Sequence, residues 1–162
     1  MTALAAIRPA EWNLPLFLHV LAAMILVGAL VVAFAYLVPA WRTASAPTLT
    51  AGFRSLLWAA LPAFIATRAT AEWINREQGL HEGDPPAWVS LGYVTTDFGL
   101  LLLIAALVGS GVAMRRVRRS AAGGESEGAG GGSGGVRLAA VMTSVLLVAY
   151  VVTIWAMTTK PA

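Results

Sequence analysis

Four long apolar segments dominate this sequence of 162 residues and leave little room for any other structural unit. We place them at residues 14–38, 52–76, 88–114 and 136–157. At 1.5 Å per residue, each segment can cross a hydrocarbon core of about 30 Å as a helix. A helix satisfies its backbone hydrogen bonds internally, as lipid requires. The sequence therefore predicts an all-α polytopic membrane protein, one domain over residues 1–162, with four transmembrane helices in an up-and-down bundle.

Composition narrows the classes of function. Charged residues make up 12% of the chain, which is about half the usual share in a soluble domain. The absence of cysteine excludes disulfides, thiolate metal ligands and thioether-linked haem. The sequence contains no Gly-rich phosphate loop, no Ser–His–Asp arrangement and no cluster with metal-ligand spacing. We therefore expect no catalytic and no metal-binding residues, and an enzyme of the soluble type is not predicted.

The basic residues predict the orientation of the chain. Seven belong to the first and third loops and their flanks: Arg42, Arg54, Arg115, Arg116, Arg118, Arg119 and Arg137. The termini and the second loop hold three: Arg8, Arg76 and Lys160. By the positive-inside rule, loops 39–51 and 115–135 face the cytoplasm, whereas both termini and the acidic loop 77–87 lie outside. The net charge of +3 is thus a topology signal and does not indicate nucleic-acid binding.

Two further features of composition bear on location and flexibility. Arginine outnumbers lysine ten to one and alanine is abundant, which indicates a GC-rich bacterial genome and hence the bacterial plasma membrane. The stretch 120–135 is rich in Gly, Ser and Glu and has too little apolar content to fold. We therefore predict that it is a flexible cytoplasmic loop.

The candidate site centres on Arg68 and Glu72, which stand four residues apart and therefore share one face of the second helix. The predicted orientation puts His19, Tyr93 and Asp97 in the same outer part of the membrane, while the inner halves of the helices are apolar. Ionisable groups at membrane depth usually face the protein interior or water, and they are functional-site candidates. If the polar faces point inward, these five residues converge into one polar intramembrane cluster.

Each functional interpretation of these residues has a structural alternative. The Arg68–Glu72 pair can fix helix register without any catalytic or ligand-binding role. If the pair is fully buried, removal of one partner would lower the free energy of unfolding by about 3–5 kcal/mol. Glu72 can instead snorkel to the interface, where charge costs little. His19 lies on a face of small residues, where a hydrogen-bonded packing histidine is the commoner case and a ligand the alternative. His81, in the polar second loop, is a weaker metal or haem candidate. The arginines at 115–119 set topology or, alternatively, contact anionic lipid.

Residues 16–28, which include His19, resemble the first helix of several bacterial membrane families with four to eight helices. These include the copper-resistance D type and the small four-helix protoporphyrinogen oxidase. In the oxidase family a histidine of the first helix is linked to haem, so the resemblance implies haem binding by His19. The oxidase pattern also includes a lysine deeper in the bundle, whereas the lysine of this chain is Lys160. Residues 62–74 and 88–99 are similar to segments of small actinobacterial membrane proteins of unassigned function.

Three functions fit these patterns. The leading hypothesis is an accessory or scaffold subunit, in which the outer polar cluster holds the bundle or a partner, either a second copy or another membrane subunit. The second is a haem-bearing redox component, with haem b bound by His19, His81 as a second ligand and Arg68 paired with a propionate. The third is a small proton- or ion-coupled transporter that uses Asp97, Glu72 and His19. In each case the lipid bilayer surrounds the chain, and no nucleic acid is bound.

Overall fold

The computed structural model describes residues 13–43, 45–77, 79, 87–121 and 131–159. The elements in this part of the chain are all helical: α1 (Asn13–Thr43), α2 (Ala46–Ser55), a π-helical segment (Leu56–Ala60), α3 (Leu61–Glu77), α4 (Ala87–Ala121) and α5 (Gly131–Thr159). The helix α2, the π-helical segment and α3 follow one another without a break and form the second span. Among the described residues, four helices are therefore long and apolar enough to cross a membrane. The prediction of an all-α chain with four such helices is confirmed.

Large apolar side chains cover the outside of the bundle. Phe17, Met24, Trp58, Leu101 and Val148, which come from all four spans, are mostly exposed. In water such a surface would form an apolar patch far larger than monomeric soluble proteins show. In a membrane the same surface is in contact with apolar lipid chains. The chain therefore has the architecture of a multipass membrane protein.

Neighbouring spans run antiparallel. The Ser55 hydroxyl donates a hydrogen bond of 2.8 Å to the Ala29 carbonyl, between the second span and α1. The hydroxyls of Thr95 and Thr153 meet at 2.8 Å between α4 and α5. Helix α1 also packs against α5, and α4 packs against α2. The four spans therefore follow one another around the bundle.

The two ends of the bundle differ in charge. At the arginine end, α1 and α4 finish and α2 and α5 begin, and this end carries the seven basic residues of the first and third loops and their flanks. There the guanidinium of Arg137 lies 5.5 Å from the centre of the Trp41 ring, which ties the start of α5 to the end of α1. At the polar end, α3 finishes and α4 begins, and the carboxylates of Glu72 and Asp97 lie there.

Helices α4 and α5 approach each other closely because each has a glycine where they meet. A Cβ atom added at Gly109 would lie 2.9 Å from the carbonyl oxygen of Gly135, and one at Gly135 would lie 2.7 Å from the carbonyl oxygen of Gly109. Ala113 and Ala139 continue this contact one turn further along each helix. Small residues in such stripes let membrane helices pack backbone to backbone.

Pro62 accounts for the π-helical segment that precedes it. Proline has no N–H, and its ring clashes with the carbonyl four residues earlier, which here belongs to Trp58. The second span widens by one residue at this point, so that the N–H of Leu61 bonds to the carbonyl of Leu56, five residues back. The structure therefore has a π-helical turn just before Pro62.

The first two spans are longer than predicted. Helix α1 continues through Pro39 to Thr43. The proline removes the hydrogen bond to the carbonyl of Ala35, a loss that membrane helices tolerate because neighbouring groups can satisfy the freed carbonyl. The second span begins at Ala46, because Pro47 stands in the first helical turn, where its missing N–H costs nothing. Most of the predicted first loop, 39–51, is therefore helical.

The Gly-rich stretch 120–135 is also shorter than predicted as a loop. Helix α4 ends at Ala121 and α5 begins at Gly131, so both edges of the stretch are helical. Residues 122–130 lie outside the described residues. At Gly135 the helix is held by the close contact with α4, which compensates for the weak helical preference of glycine.

Candidate functional site

Arg68 is the centre of a charged cluster that joins α3 to α4 at the polar end. Its Nη2 atom lies 3.3 Å from Oε1 of Glu72, one turn further along α3. Its Nη1 atom lies 3.6 Å from Oδ1 of Asp97 on α4. Its guanidinium carbon lies 4.6 Å from the centre of the Tyr93 ring. A planar guanidinium presents five donors and two faces, so a single arginine can serve two carboxylates and an aromatic ring.

Asn75 extends this cluster toward the end of α3. Its Nδ2 donates a hydrogen bond of 2.9 Å to Oη of Tyr93, a second side-chain bridge between α3 and α4. Its Oδ1 atom is buried and has no hydrogen-bond partner within the described part of the chain. We call these five residues, Arg68, Glu72, Asn75, Tyr93 and Asp97, the Arg68 cluster.

The Arg68 cluster bridges an opening between two helices. Helix α4 packs against α2 and the π-helical segment, but its backbone scarcely approaches that of α3. Long side chains therefore make the contacts across this gap. The side chains of Arg68 and Glu72 are 34% and 36% exposed, and that of Asp97 is 69% exposed. These exposed fractions are too large for a fully buried ion pair, so the cluster is open to its surroundings.

The charge-free stretches of the second span and of α4 are shorter than the hydrocarbon core of a membrane. From Arg54 to Arg68 the second span carries no other charge, over about 21 Å at 1.5 Å per residue. The matching stretch of α4, from Asp97 to Arg115, measures about 27 Å. Both distances are shorter than a hydrocarbon core of about 30 Å. Some of these charges must therefore lie at the edge of the core or inside it.

The other side of the bundle stays apolar at the same level. Because Thr95 meets Thr153, Asp97 lies level with about residue 151 of α5. Residues 152–157, which are largely apolar, extend α5 beyond that level by about 9 Å. The polar end therefore has an apolar side, formed by α5, and a charged side, formed by α3 and α4.

His19 contacts a different side of α3. Its Nδ1 atom lies 3.1 Å from the carbonyl oxygen of Thr67 and 3.2 Å from Oγ1 of Thr70. A carbonyl oxygen only accepts, so Nδ1 carries the hydrogen and the neutral ring keeps its lone pair on Nε2. At 100° per residue, the mean direction of Thr67 and Thr70 is roughly 150° around the α3 axis from that of Arg68 and Glu72. The structure thus differs from the predicted convergence: four of the residues meet, and His19 lies apart from them.

A shallow apolar groove of about 360 Å³ lies between α1 and the second span, next to His19. It is lined by Ala22, Ile25, Trp58, Ala59, Pro62, Ala63 and Ala66. His19 lies one turn from Ala22, and Thr70 lies one turn from Ala66. The contact between His19 and Thr70 therefore lies at the polar end of the groove.

The sequence did not identify Thr67 and Thr70 as partners of His19. Nothing in the sequence associates a histidine with a threonine 51 residues away. The helical register between α1 and α3 decides this contact. Of the remaining candidates, Tyr93 and Asp97 lie where α3 and α4 face each other. His81 lies outside the described residues.

The site has few features that identify a known chemistry. In the described ranges, no three His, Cys, Asp or Glu side chains are grouped so as to hold a metal ion. Comparison with protein-family models, with curated proteins and with solved structures finds no match for this chain. The function must therefore be argued from the charges, exposure and packing of the site itself.

Proposed function

We propose that this protein is an accessory or scaffold subunit of the bacterial plasma membrane, and that the Arg68 cluster docks a partner chain. The observation that carries the proposal is the Asp97 side chain, which is 69% exposed on a face of α4 that the bundle leaves uncovered. Charged side chains at membrane depth are costly and almost always face protein or water. A partner chain on the α3–α4 side would cover this carboxylate.

The proposed orientation has the Arg68 cluster in the outer leaflet. It rests on the seven basic residues of the arginine end, which the positive-inside rule assigns to the cytoplasm. The polar end, with the loop between α3 and α4, then faces outward. A partner that contacts the cluster would be a membrane protein with a span that reaches the outer leaflet beside α4.

Purification in a mild detergent tests the accessory role. We expect the wild-type chain of 16.9 kDa to migrate as a larger complex that contains a second chain or a second copy. Asp97→Asn should release that chain while helix content, measured by circular dichroism, stays unchanged. Val148→Ala, on the exposed face of α5, is the matched control and should retain it. A monomer with no co-purifying chain and a turnover of its own would overturn the proposal.

A second candidate function, a haem-bearing redox component, rests on His19. Its Nδ1 donates to a backbone carbonyl, which leaves Nε2 available as a ligand, the arrangement that metal-ligating histidines adopt. The groove next to it is lined by apolar side chains. Arg68 points to the other side of α3, so the pairing with a propionate has no support. Wild-type protein supplied with haem should show a Soret band that His19→Ala removes, and a colourless wild-type protein would exclude this function.

A transport function has less support than the accessory function or the haem-bearing function. A proton relay would need His19 close to Glu72 and Asp97, and His19 lies on the opposite side of α3 from Glu72. The halves of the helices near the arginine end are also apolar between their charged termini.

A further inference from the structure

One face of α4 carries an uncovered stripe of side chains. Its members follow one another at intervals of three or four residues: Val94, Asp97, Leu101, Ile104 and Val108. All of them are exposed, whereas the opposite face of α4 is buried in the bundle. We call these five residues the α4 stripe. Four of its members suit lipid, and Asp97 does not.

The spacing of the α4 stripe suits a second helix. Alternating intervals of three and four residues form the seam along which two helices pack at a shallow left-handed angle. At membrane depth a partner segment exposed to lipid must itself be helical, since its backbone has no water to bond. A transmembrane helix laid along the α4 stripe would cover Leu101 and Ile104 and would reach Asp97.

The charges of the Arg68 cluster show what that helix must carry. Arg68 contributes one positive charge, and Glu72 and Asp97 contribute two negative ones, so the cluster has a net charge of −1. The contact between Arg68 and Asp97 is 3.6 Å, longer than the charge-assisted hydrogen bonds of about 2.7–2.9 Å. Toward the end of α3, the charges of Arg76 and Glu77 cancel each other. Among the described residues, Asp97 therefore has no cationic partner closer than Arg68 at 3.6 Å.

A second copy of the chain does not meet this need. Packed through the same face, it would bring another cluster of net charge −1 and would place two Asp97 side chains near one another. Like charges at such a contact are unfavourable. Charge complementarity therefore favours a different chain that carries a positive charge.

We propose that the α4 stripe binds a membrane-spanning helix of a partner chain that carries a lysine or arginine level with Asp97. This inference rests on the proposed accessory function and specifies the chemistry of the partner. The basic residue would form a closer ion pair with Asp97 than Arg68 does at 3.6 Å, and the apolar remainder of the stripe would align the two helices.

Model helices in proteoliposomes test this directly. Because the chain has no cysteine, a single Thr159→Cys substitution at the end of α5 allows a fluorescent donor to be attached away from the stripe. The probes are acceptor-labelled Leu/Ala transmembrane peptides, one with a lysine level with Asp97 and one with leucine there. We expect the lysine peptide to bind about tenfold more tightly, since polar contacts between membrane helices contribute about 1–2 kcal/mol in model peptides.

Three variants assign the effect to the α4 stripe. Asp97→Asn should remove the preference for the lysine peptide, and Asp97→Lys should transfer it to a peptide that carries aspartate. Leu101→Trp should weaken binding of the lysine peptide, whereas Val148→Trp should not. Leu101 and Val148 are 63% and 62% exposed. The two positions are therefore matched in exposure and differ in the face of the bundle on which they lie.

The possible failures are distinguishable from one another. Equal binding of the two peptides, or a lysine preference that survives Asp97→Asn, would overturn the inference about the basic residue while leaving the accessory role intact. Self-association of the labelled chain that Leu101→Trp abolishes would assign the stripe to a second copy and also overturn it. A monomeric wild-type chain with no co-purifying chain and a turnover of its own would remove the accessory role itself.

Discussion

The close contact between α4 and α5 allows a prediction whose magnitude follows from the structure. In Gly109→Ala the new methyl carbon would lie 2.9 Å from the carbonyl oxygen of Gly135. Ordinary van der Waals contact of a Cβ atom begins at 3.4 Å, so the two helices must separate by roughly half an ångström. The obstacle is a backbone atom, which cannot rotate away. Overpacking of this kind costs about 1–3 kcal/mol.

Gly28 provides the matched control for Gly109. It also lies inside a helix, but a Cβ atom added there meets nothing within 4 Å. Both substitutions gain the helical preference of alanine over glycine, about 1 kcal/mol, so this contribution cancels in the comparison. We therefore expect Gly109→Ala to be less stable than Gly28→Ala by about 1–3 kcal/mol.

Reversible unfolding in mixed detergent micelles, followed by circular dichroism, measures this difference. For a chain of this length, 1 kcal/mol corresponds to about 2–4 °C in Tm. Gly135→Ala should behave like Gly109→Ala, and the double variant should cost less than the sum of the two, because the helices need to separate only once. Equal stabilities for Gly109→Ala and Gly28→Ala would refute the backbone contact between α4 and α5.

Three further variants test the contacts of the second span. Glu72→Ala in the isolated chain should lower the unfolding free energy by at most about 1 kcal/mol, well below the cost for a buried pair. The ion pair with Arg68 is one-third exposed at the polar end, where without a partner chain we expect water to reach and screen it. A loss of several kcal/mol would mean that the pair is shielded from water. His19→Ala should cost about 1 kcal/mol through its lost hydrogen bonds, as measured in the same unfolding assay, and an unchanged stability would contradict the α1–α3 contact. Ser55→Ala should cost about 0.6 kcal/mol and no more than about 1.7, because it removes a bond between helices. Ser144→Ala, which removes only a bond within α5, should cost less, and the reverse order would argue against the Ser55–Ala29 bond.

The sequence by itself determined the number and type of the helices. An apolar run either is or is not long enough to cross a membrane, and that property depends on neighbouring residues alone. The shared face of Arg68 and Glu72 is likewise a local property, because helical periodicity brings residues four apart together. The ends of the helices were less predictable. The first loop was predicted over residues 39–51, yet Pro39 and Pro47 both lie inside helical segments.

Only the tertiary structure decided which faces meet. The rotation and register of each span come from packing with its neighbours, and no pattern within a single helix contains them. For this reason His19 contacts Thr67 and Thr70 on one side of α3, while Arg68 reaches Asp97 on another. The separation of α3 from α4, which leaves Asp97 uncovered, has the same origin. Because helix orientation in a bundle is the sum of many weak contacts between distant residues, the polar residues were identifiable from the sequence, and their partners and exposure were not.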